Sequence, residues 1–229
     1  MNRAEVQDRP DVRRYGRRAF LGVVVAGVSA LAWADRLSRH VGGGLAQLEA
    51  LVPSSGWRIY TIGDSMPEFD RTTWRLRVDG LVERPLELSY DDLLALPRAK
   101  QTSDFHCVTG WSVRDVRWEG VRFRDLLAAA RPRREAHALR FVSAEHPYDD
   151  TLSLEQAYLA DAMLAHRMDG RPLTQAHGAP VRVVVPEMYG YKNVKWVERI
   201  ELLPKAVDGY WEQRGYDRDA WVGRSNGFG

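Results

Sequence analysis

The only cysteine among the 229 residues, Cys107, lies in the stretch DFHCVTGWS at residues 104–112. A lone cysteine excludes an intrachain disulfide, and it excludes the structural zinc sites that need at least two cysteine ligands. Three roles stay open for this thiol. It could be a small buried hydrophobic residue, a nucleophile activated by a histidine, or a thiolate ligand to a metal whose other ligands come from a cofactor.

The segments around Cys107 predict short strands interleaved with short helices. Alternating apolar and polar residues predict strands, and a serine followed by acidic residues and an apolar face predicts the start of a helix. Strands are predicted over residues 73–80, 138–145, 179–186 and 194–204, and helices over residues 88–97, 123–130 and 153–161. Because the long, regular spacing of βαβ units is absent, the pattern favours an α+β domain.

Four segments, in this order, resemble the molybdopterin-binding domain of the sulfite oxidase family. They are RVDGLVERPLELSYDDLLALP, HCVTGWSVRDVRWEGVRFRDLL, HGAPVRVVVPEMYGYKNVKWVERIELL and DGYWEQRGY. The resemblance extends from about residue 57 to residue 216, and it is strongest to the compact bacterial members, which include periplasmic methionine sulfoxide reductases and have no haem domain. It implies the sulfite oxidase fold, an α+β fold of mixed sheets and short helices.

The resemblance also implies a cofactor, molybdenum bound by one molybdopterin. In this family the metal is held by the dithiolene of the molybdopterin, by oxo or hydroxo ligands and by one cysteine. Cys107 is therefore implied to be the metal ligand and a catalytic residue. Tyr148 matches the family's active-site tyrosine, whose phenol can hydrogen-bond an oxo ligand or a substrate oxygen. The alternative for Tyr148 is a loop residue that packs on the surface.

A molybdopterin presents a phosphate and a ring with many hydrogen-bonding groups, and the resemblance implies which residues hold it. Arg182 and Lys192 are expected to supply cations to the phosphate. Gly190 would let the backbone approach the ligand closely. The other implied cofactor-binding residues are Tyr60, Thr61, Ser143, His177, Tyr191 and Lys195. Taken alone, Arg182 could be a solvated strand residue, and Lys192 and Lys195 could be a surface pair.

Other conspicuous residues are expected to be structural. Trp111, Trp118 and Trp196 are predicted to lie in the core or in the wall of a pocket. Asp149 and Asp150 are predicted to be solvated loop residues, because nothing in the sequence fixes their separation as a glycosidase pair would require.

Residues 1–34 have the layout of an export signal. Arginines precede an uncharged run from residue 19 to residue 34, which ends in the small-x-small pattern AWA. Arg17 and Arg18, followed by AFL, resemble the twin-arginine signal. The run is short for a helix that must cross a bilayer. The protein is therefore expected in the periplasm or cell envelope, with an uncleaved anchor or a buried N-terminal helix as alternatives.

The rest of the chain is predicted to be a linker followed by one domain. Gly42–Gly44 and Pro53–Gly56 interrupt residues 35–56, which predicts a linker. Residues 57–229 are predicted to be the molybdopterin-binding oxidoreductase domain. The 33 basic residues nearly balance the 31 acidic ones, and no basic run alternates with aromatic residues, so nucleic acid is not an expected partner.

These patterns predict an exported molybdenum oxidoreductase that transfers an oxygen atom and two electrons to or from a small substrate. One cysteine cannot form a C-x-x-C-H haem attachment site, so electrons are expected to pass through a separate partner, such as a membrane haem protein or a quinone. A thiol hydrolase that uses Cys107 with a histidine, such as His146 or His177, is one alternative. A non-enzymatic periplasmic binding domain of the same fold is another.

The residues that follow Cys107 favour a sulfoxide as substrate. Sulfite oxidases have an arginine five residues after the metal-binding cysteine, where this chain has Ser112. A neutral, partly aromatic wall suits an uncharged oxide better than it suits the sulfite anion. Arg114 or Arg117 could supply the missing charge, so a sulfite oxidase-type dehydrogenase stays an alternative.

Overall fold

The computed structural model describes residues 56–225, which contain ten strands and three short α-helices. The strands are β1 (Arg75–Gly80), β2 (Leu86–Ser89), β3 (Arg98–His106), β4 (Ser112–Arg122), β5 (Ala138–Ser143), β6 (Asp149–Ser153), β7 (Met163–Met168), β8 (Arg171–Pro172), β9 (Arg182–Val184) and β10 (Val197–Leu203). The helices are α1 (Tyr90–Ala95), α2 (Phe123–Ala130) and α3 (Leu154–Ala157), with 3₁₀ turns at Gln175–His177, Gly190–Lys192 and Glu212–Arg214. In this range no helix is long and apolar enough to span a membrane.

Two sheets of five strands form the domain. The first has the order β2-β1-β10-β5-β6, and its β1–β10 pair is parallel, with Arg77 opposite Arg199. The second has the order β3-β4-β7-β8, and β9 also pairs with β7. The predicted α+β fold of mixed sheets and short helices is confirmed.

The β3–β4 hairpin matters most for function, because its loop carries Cys107. The two strands are antiparallel, with Arg98 opposite Val121 at one end and His106 opposite Ser112 at the other. Residues 107–111 join the strands. The lone thiol therefore lies at a fixed point, where a long hairpin ends.

The predicted helix starts at the two serines are confirmed. The Ser89 hydroxyl accepts from the backbone N–H of Asp92 at 3.2 Å, and the Asp92 carboxylate accepts from the N–H of Ser89 at 2.9 Å. Ser153 and Gln156 make the same reciprocal pair before α3, at 3.1 and 2.8 Å. Such capping boxes satisfy backbone donors that a first turn leaves unpaired. Helix α3 ends at Ala157, earlier than the predicted residue 161.

In the core of the domain, helix α2 packs against the first sheet. Phe123, Leu126 and Leu127 of α2 are fully buried, and the Phe123 ring lies 5.1 Å from that of Phe141 on β5. Trp118, on β4, belongs to a smaller apolar cluster on the second sheet.

The predicted strands at 73–80, 138–145 and 194–204 are confirmed as β1, β5 and β10. The predicted export signal at 1–34 lies outside the described residues, and so does the linker at 35–56 apart from Gly56.

Candidate molybdopterin site

A cavity of about 330 Å³ lies beside Cys107, where several loops meet. Its walls come from residues 57–62, the end of β3 with its loop, the turn between β5 and β6, and two 3₁₀ turns. Trp211 and Tyr216 of the C-terminal segment close one side. The cavity therefore joins parts of the chain that are far apart in sequence.

Cys107 begins the loop that follows β3, and its half-buried side chain lines the cavity. Its backbone N–H donates to the carbonyl of Trp111 at 2.9 Å, and its carbonyl accepts from Gly110 at 3.0 Å. The thiol Sγ lies 3.2 Å from Thr109 Oγ1. A tight backbone turn thus holds a thiol that faces open space.

The neighbouring histidines do not form a nucleophile pair with this thiol. Nδ1 of His106 lies 2.8 Å from Ser112 Oγ, and neither residue lines the cavity. His146 lies 3.2 Å from a carboxylate oxygen of Glu198 and is also outside the cavity lining. His177 is the one histidine among the cavity-lining residues of the described range.

Arg182, on β9, is a buried cation that no carboxylate neutralises within residues 56–225. Only 3% of the residue is exposed, and its guanidinium donates to the carbonyls of His177 and Asn193 at 3.4 and 3.3 Å. The rings of Phe105 and Trp118 lie 5.3 and 5.4 Å from its Cζ. Burial lowers the pKa of Arg182 to about 10. A buried charge without a counterion is costly, so this site fits an anion such as a phosphate.

Lys195 adds a second cation to the cavity. Its ammonium donates to the carbonyl of Tyr60 at 2.7 Å and lies 3.9 Å from the centre of the Trp196 ring. Burial and the charge of Arg182 lower the pKa of Lys195 to about 8. Because Arg182 and Lys195 repel each other, an anion bound between them would stabilise the charged form of both.

Two unpaired nitrogen atoms also indicate a ligand. Nδ1 of His177 and Nε1 of Trp111 are buried without a hydrogen-bond partner, and both residues line the cavity. Burial and then Arg182 lower the pKa of His177 to about 4, so the imidazole is neutral at pH 7. Buried polar atoms are normally paired. A pterin ring carries donors and acceptors that could pair with them, so the residues present fit the implied cofactor.

Tyr148 lines the same cavity, between β5 and β6. Its phenol donates to the carbonyl of Tyr191 at 2.6 Å. Burial raises its pKa well above 10.0, so it stays protonated. It is therefore a wall residue whose phenolic proton is held by the carbonyl of Tyr191, and the alternative of a tyrosine packed on the surface does not fit.

Four other predicted cofactor contacts line the cavity, namely Tyr60, Thr61, Gly190 and Tyr191. The reason for glycine at position 190 differs from the expected one. A Cβ there would lie 2.5 Å from Cζ of Phe105, so the absent side chain makes room for that ring. The Tyr191 phenol donates to the carbonyl of Asp217 at 2.6 Å, which ties the C-terminal segment to the wall.

Lys192 requires a correction. Its ammonium lies 2.6 Å from both Asp150 Oδ1 and Glu212 Oε1 and donates to the carbonyl of Thr151 at 3.1 Å. Its side chain is 1% exposed and does not line the cavity. The expected contact with a phosphate does not fit this geometry, and neither does a surface position. We call Asp150, Lys192 and Glu212 the buried ion triad.

Ser143 and the aspartates of β6 also differ from expectation. The Ser143 hydroxyl donates to the carbonyl of Lys195 at 2.8 Å and accepts from the N–H of Glu145 at 3.0 Å. It does not line the cavity, so it supports Lys195 rather than offering its hydroxyl to a pterin. Asp149 and Asp150 are 7% and 1% exposed on a strand, so the predicted solvated loop is wrong.

Several residues that sequence reasoning did not single out also line the cavity. They are Trp57, Arg58, Glu145, Asn193, Trp211 and Tyr216, together with apolar loop residues. Trp57 packs on Phe105 and His177, with ring centres 4.8 and 4.9 Å apart. Trp111 and Trp196, predicted as core or wall, belong to the lining, and Trp118 is buried beside Arg182. The aromatic and polar residues at 57–60 were the one feature of the sequence that could have indicated these additional lining residues.

Comparison with known proteins identifies the family. Residues 63–211 match the oxidoreductase molybdopterin binding domain family. The uncharacterized oxidoreductase YuiH of Bacillus subtilis is 39% identical over 154 residues, which cover 66% of this chain and 77% of YuiH. The protein-methionine-sulfoxide reductase catalytic subunit MsrP of Campylobacter jejuni is 31% identical over 160 residues, which cover 63% of this chain and 54% of MsrP.

A solved structure supports the same assignment. The sulfane dehydrogenase SoxCD from Paracoccus pantotrophus has a TM-score of 0.58 and 30% identity, and the match covers 62% of this chain and 41% of that chain. This chain therefore spans about half the length of MsrP and less of SoxCD. The family matched at residues 63–211 and the geometry around Cys107 agree. The chain belongs to the oxidoreductase molybdopterin binding domain family and is a molybdopterin-binding oxidoreductase with the sulfite oxidase fold.

Proposed function

We propose that this protein is a molybdenum-dependent reductase of small sulfoxides. The observation that carries the proposal is the composition of one cavity, in which a lone thiol, two cations, one of them buried without a carboxylate partner in the described residues, and a neutral imidazole meet. Those residues are Cys107, Arg182, Lys195 and His177. A thiol hydrolase would need a base beside Cys107, and an empty binding domain would have no reason to keep an unneutralised arginine buried.

Each residue has a distinct role in this proposal. Cys107 would bind the metal through its thiolate, and Arg182 and Lys195 would hold the anionic end of the molybdopterin. His177 and Trp111 would pair with polar atoms of the pterin. Tyr148 would contact the substrate oxygen, and its phenolic proton, which the carbonyl of Tyr191 accepts in this structure, would have to turn toward that oxygen to donate a hydrogen bond. When bound, the cofactor supplies the exchange of one oxygen atom and two electrons.

The cavity wall favours an uncharged substrate. Trp111 and Tyr60 line it beside Cys107, with ring centres 6.4 Å apart. Arg114 and Arg117 are outside the lining, and Arg117 pairs instead with Asp169 at 3.4 Å. The charge that sulfite would need is therefore not supplied from the positions just after Cys107.

A second candidate, oxidation of sulfite, is favoured by one residue. Arg58 is an exposed cation at the edge of the cavity, and an anionic substrate could use it. This arginine lies before the first strand, so the sequence pattern after Cys107 does not reveal it.

A side-by-side assay of the molybdenum-loaded enzyme tests the proposal. Reduction of methionine sulfoxide and dimethyl sulfoxide by reduced viologen is expected to exceed sulfite oxidation by ferricyanide. The reaction balances as R₂SO + 2 H⁺ + 2 e⁻ → R₂S + H₂O. Efficient sulfite turnover with negligible sulfoxide reduction would overturn the proposal, and loss of that sulfite activity in Arg58→Ala would identify the cation responsible.

We propose further that the protein is exported and receives its electrons from a separate partner. Support comes from the twin-arginine pattern at Arg17 and Arg18 and from the lack of a second cysteine for haem attachment. Replacing both arginines with lysine is expected to leave the protein in the cytoplasm with its cofactor loaded. Cell fractionation measures this, and unchanged export would point to another route.

A further inference from the structure

Within residues 56–225, side-chain contacts alone hold one wall of the cavity against the rest of the domain. We call residues 57–63 the strap, and its first six residues, 57–62, all line the cavity. Across the described part of the chain, no backbone–backbone hydrogen bond connects the strap to a strand, helix or loop. The strap can therefore move without breaking either sheet.

Two side chains anchor the strap through its backbone. Glu145 Oε1 accepts from the N–H groups of Ile62 and Gly63 at 2.8 and 3.3 Å. The Lys195 ammonium donates to the carbonyl of Tyr60 at 2.7 Å. Trp57, at the start of the strap, adds packing on Phe105. Glu145 is the anchor nearest the end of the strap that leads into the domain.

Glu145 is an unexpected residue for this cavity. It is 7% exposed, and it is the only carboxylate among the lining residues that the structure describes. A buried carboxylate repels an anion in the same cavity, although the charge of Glu145 also raises the pKa of Lys195 and so favours that cation. The carboxylate also strengthens the hydrogen bonds that it accepts from the two strap N–H groups, since hydrogen bonds to an ionised acceptor are stronger than those to a neutral one.

A serine connects the two anchors. The Ser143 hydroxyl accepts from the N–H of Glu145 at 3.0 Å and donates to the carbonyl of Lys195 at 2.8 Å. Both anchoring side chains are therefore placed by one buried group that joins the end of β5 to the segment before β10. The strap is fixed relative to the residues that would bind the cofactor.

We propose that Glu145 is a positioning residue that anchors the strap over the cavity and so retains the molybdopterin. The strap would detach to admit the cofactor and then complete the wall once Glu145 accepts its two N–H groups. The inference rests on the proposed function only for the identity of the ligand. The anchoring of the strap is a property of the protein that can be measured without turnover.

Hydrogen–deuterium exchange on the holoenzyme tests this proposal. Glu145→Ala removes the acceptor, and the amides of residues 60–63 are expected to exchange about 10- to 100-fold faster, since a hydrogen bond to a charged group is worth about 1.5–3 kcal/mol. Glu145→Gln keeps an acceptor oxygen and should restore part of the protection. The matched control is Glu198→Gln, a carboxylate on β10 that pairs with His146 and lies outside the cavity lining.

A second measurement follows the cofactor. Molybdenum content after prolonged dialysis is expected to fall in the order wild type, Glu145→Gln, Glu145→Ala. Unchanged exchange of the strap in Glu145→Ala would overturn the proposal, as would faster exchange spread evenly over β5 and β10. A wild-type protein that holds molybdenum but fails to reduce sulfoxides would count against the proposed function and leave the strap result standing.

Discussion

Replacing Cys107 with serine is expected to abolish turnover while the fold persists. A serine hydroxyl is a poor substitute for a thiolate at a soft or high-valent metal. The backbone bonds of the loop, from Cys107 N–H to Trp111 and from Gly110 N–H to Cys107, do not depend on the side chain. The loss should exceed the roughly 10–100-fold cost of removing a residue that only supports a metal ligand.

The control for this variant is Thr109→Ala. It removes the hydroxyl 3.2 Å from Sγ but keeps the thiol, so only a modest loss is expected. Molybdenum analysis alongside the rate separates loss of the metal from loss of chemistry. Normal turnover of Cys107→Ser would end the assignment of Cys107 as the ligand. Two observations together would instead support a thiol hydrolase. The protein would be active without molybdenum, and iodoacetamide would alkylate Cys107 and abolish that activity.

Local signals were sufficient to predict the three helices and four of the ten strands. The capping serines Ser89 and Ser153 act on residues only three positions away, so their effect is readable in a short window. The same holds for alternation in β1 and β10, since each strand has one face in the core. The proposed role of Cys107 also rests on local sequence, because its loop belongs to a motif of neighbouring residues.

Long-range contacts explain what the sequence could not predict. Lys192 lies in the same motif as Lys195, yet its partners are 42 and 20 residues away, at Asp150 and Glu212. Glu145 likewise acts on Ile62, which is 83 residues away. A lysine's type and neighbours do not reveal whether its charge serves a ligand or a buried carboxylate. Only the fold decides that.

The buried ion triad supplies the prediction with the largest expected effect on stability. Lys192→Met keeps an unbranched side chain of similar bulk and removes the charge, which leaves Asp150 and Glu212 buried together without their shared cation. Their side chains are each 2% exposed, and one oxygen of each already has no hydrogen-bond partner. Breaking such a pair costs about 3–5 kcal/mol of unfolding free energy.

The effect should depend on pH in a defined direction. Burial, offset in part by Lys192, raises the pKa of Asp150 from 3.8 to about 8. A carboxyl whose pKa is raised by folding stabilises the protein below its unfolded pKa, and that contribution is lost as pH rises toward 8. Without the ammonium the pKa of Asp150 rises further. Between the unfolded pKa and about pH 8 both proteins lose stability in parallel, and above about pH 8 only the variant continues to do so, so the gap between wild type and Lys192→Met should be larger at about pH 9 than at about pH 6.

Arg182→Met is the matched control, because it also removes a buried cation, but one without a carboxylate partner in the described structure. Burial lowers the pKa of Arg182, which means that folding disfavours its charge. Losing that charge should leave the cofactor-free protein as stable as wild type or more so, while molybdopterin retention falls. Urea unfolding of the cofactor-free proteins at the two pH values measures both effects. Equal destabilisation by the two substitutions would contradict this difference between the two cations. It would mean that Arg182 is neutralised within the protein to the same extent as Lys192, and that an anion bound in the cavity is not required to balance its charge.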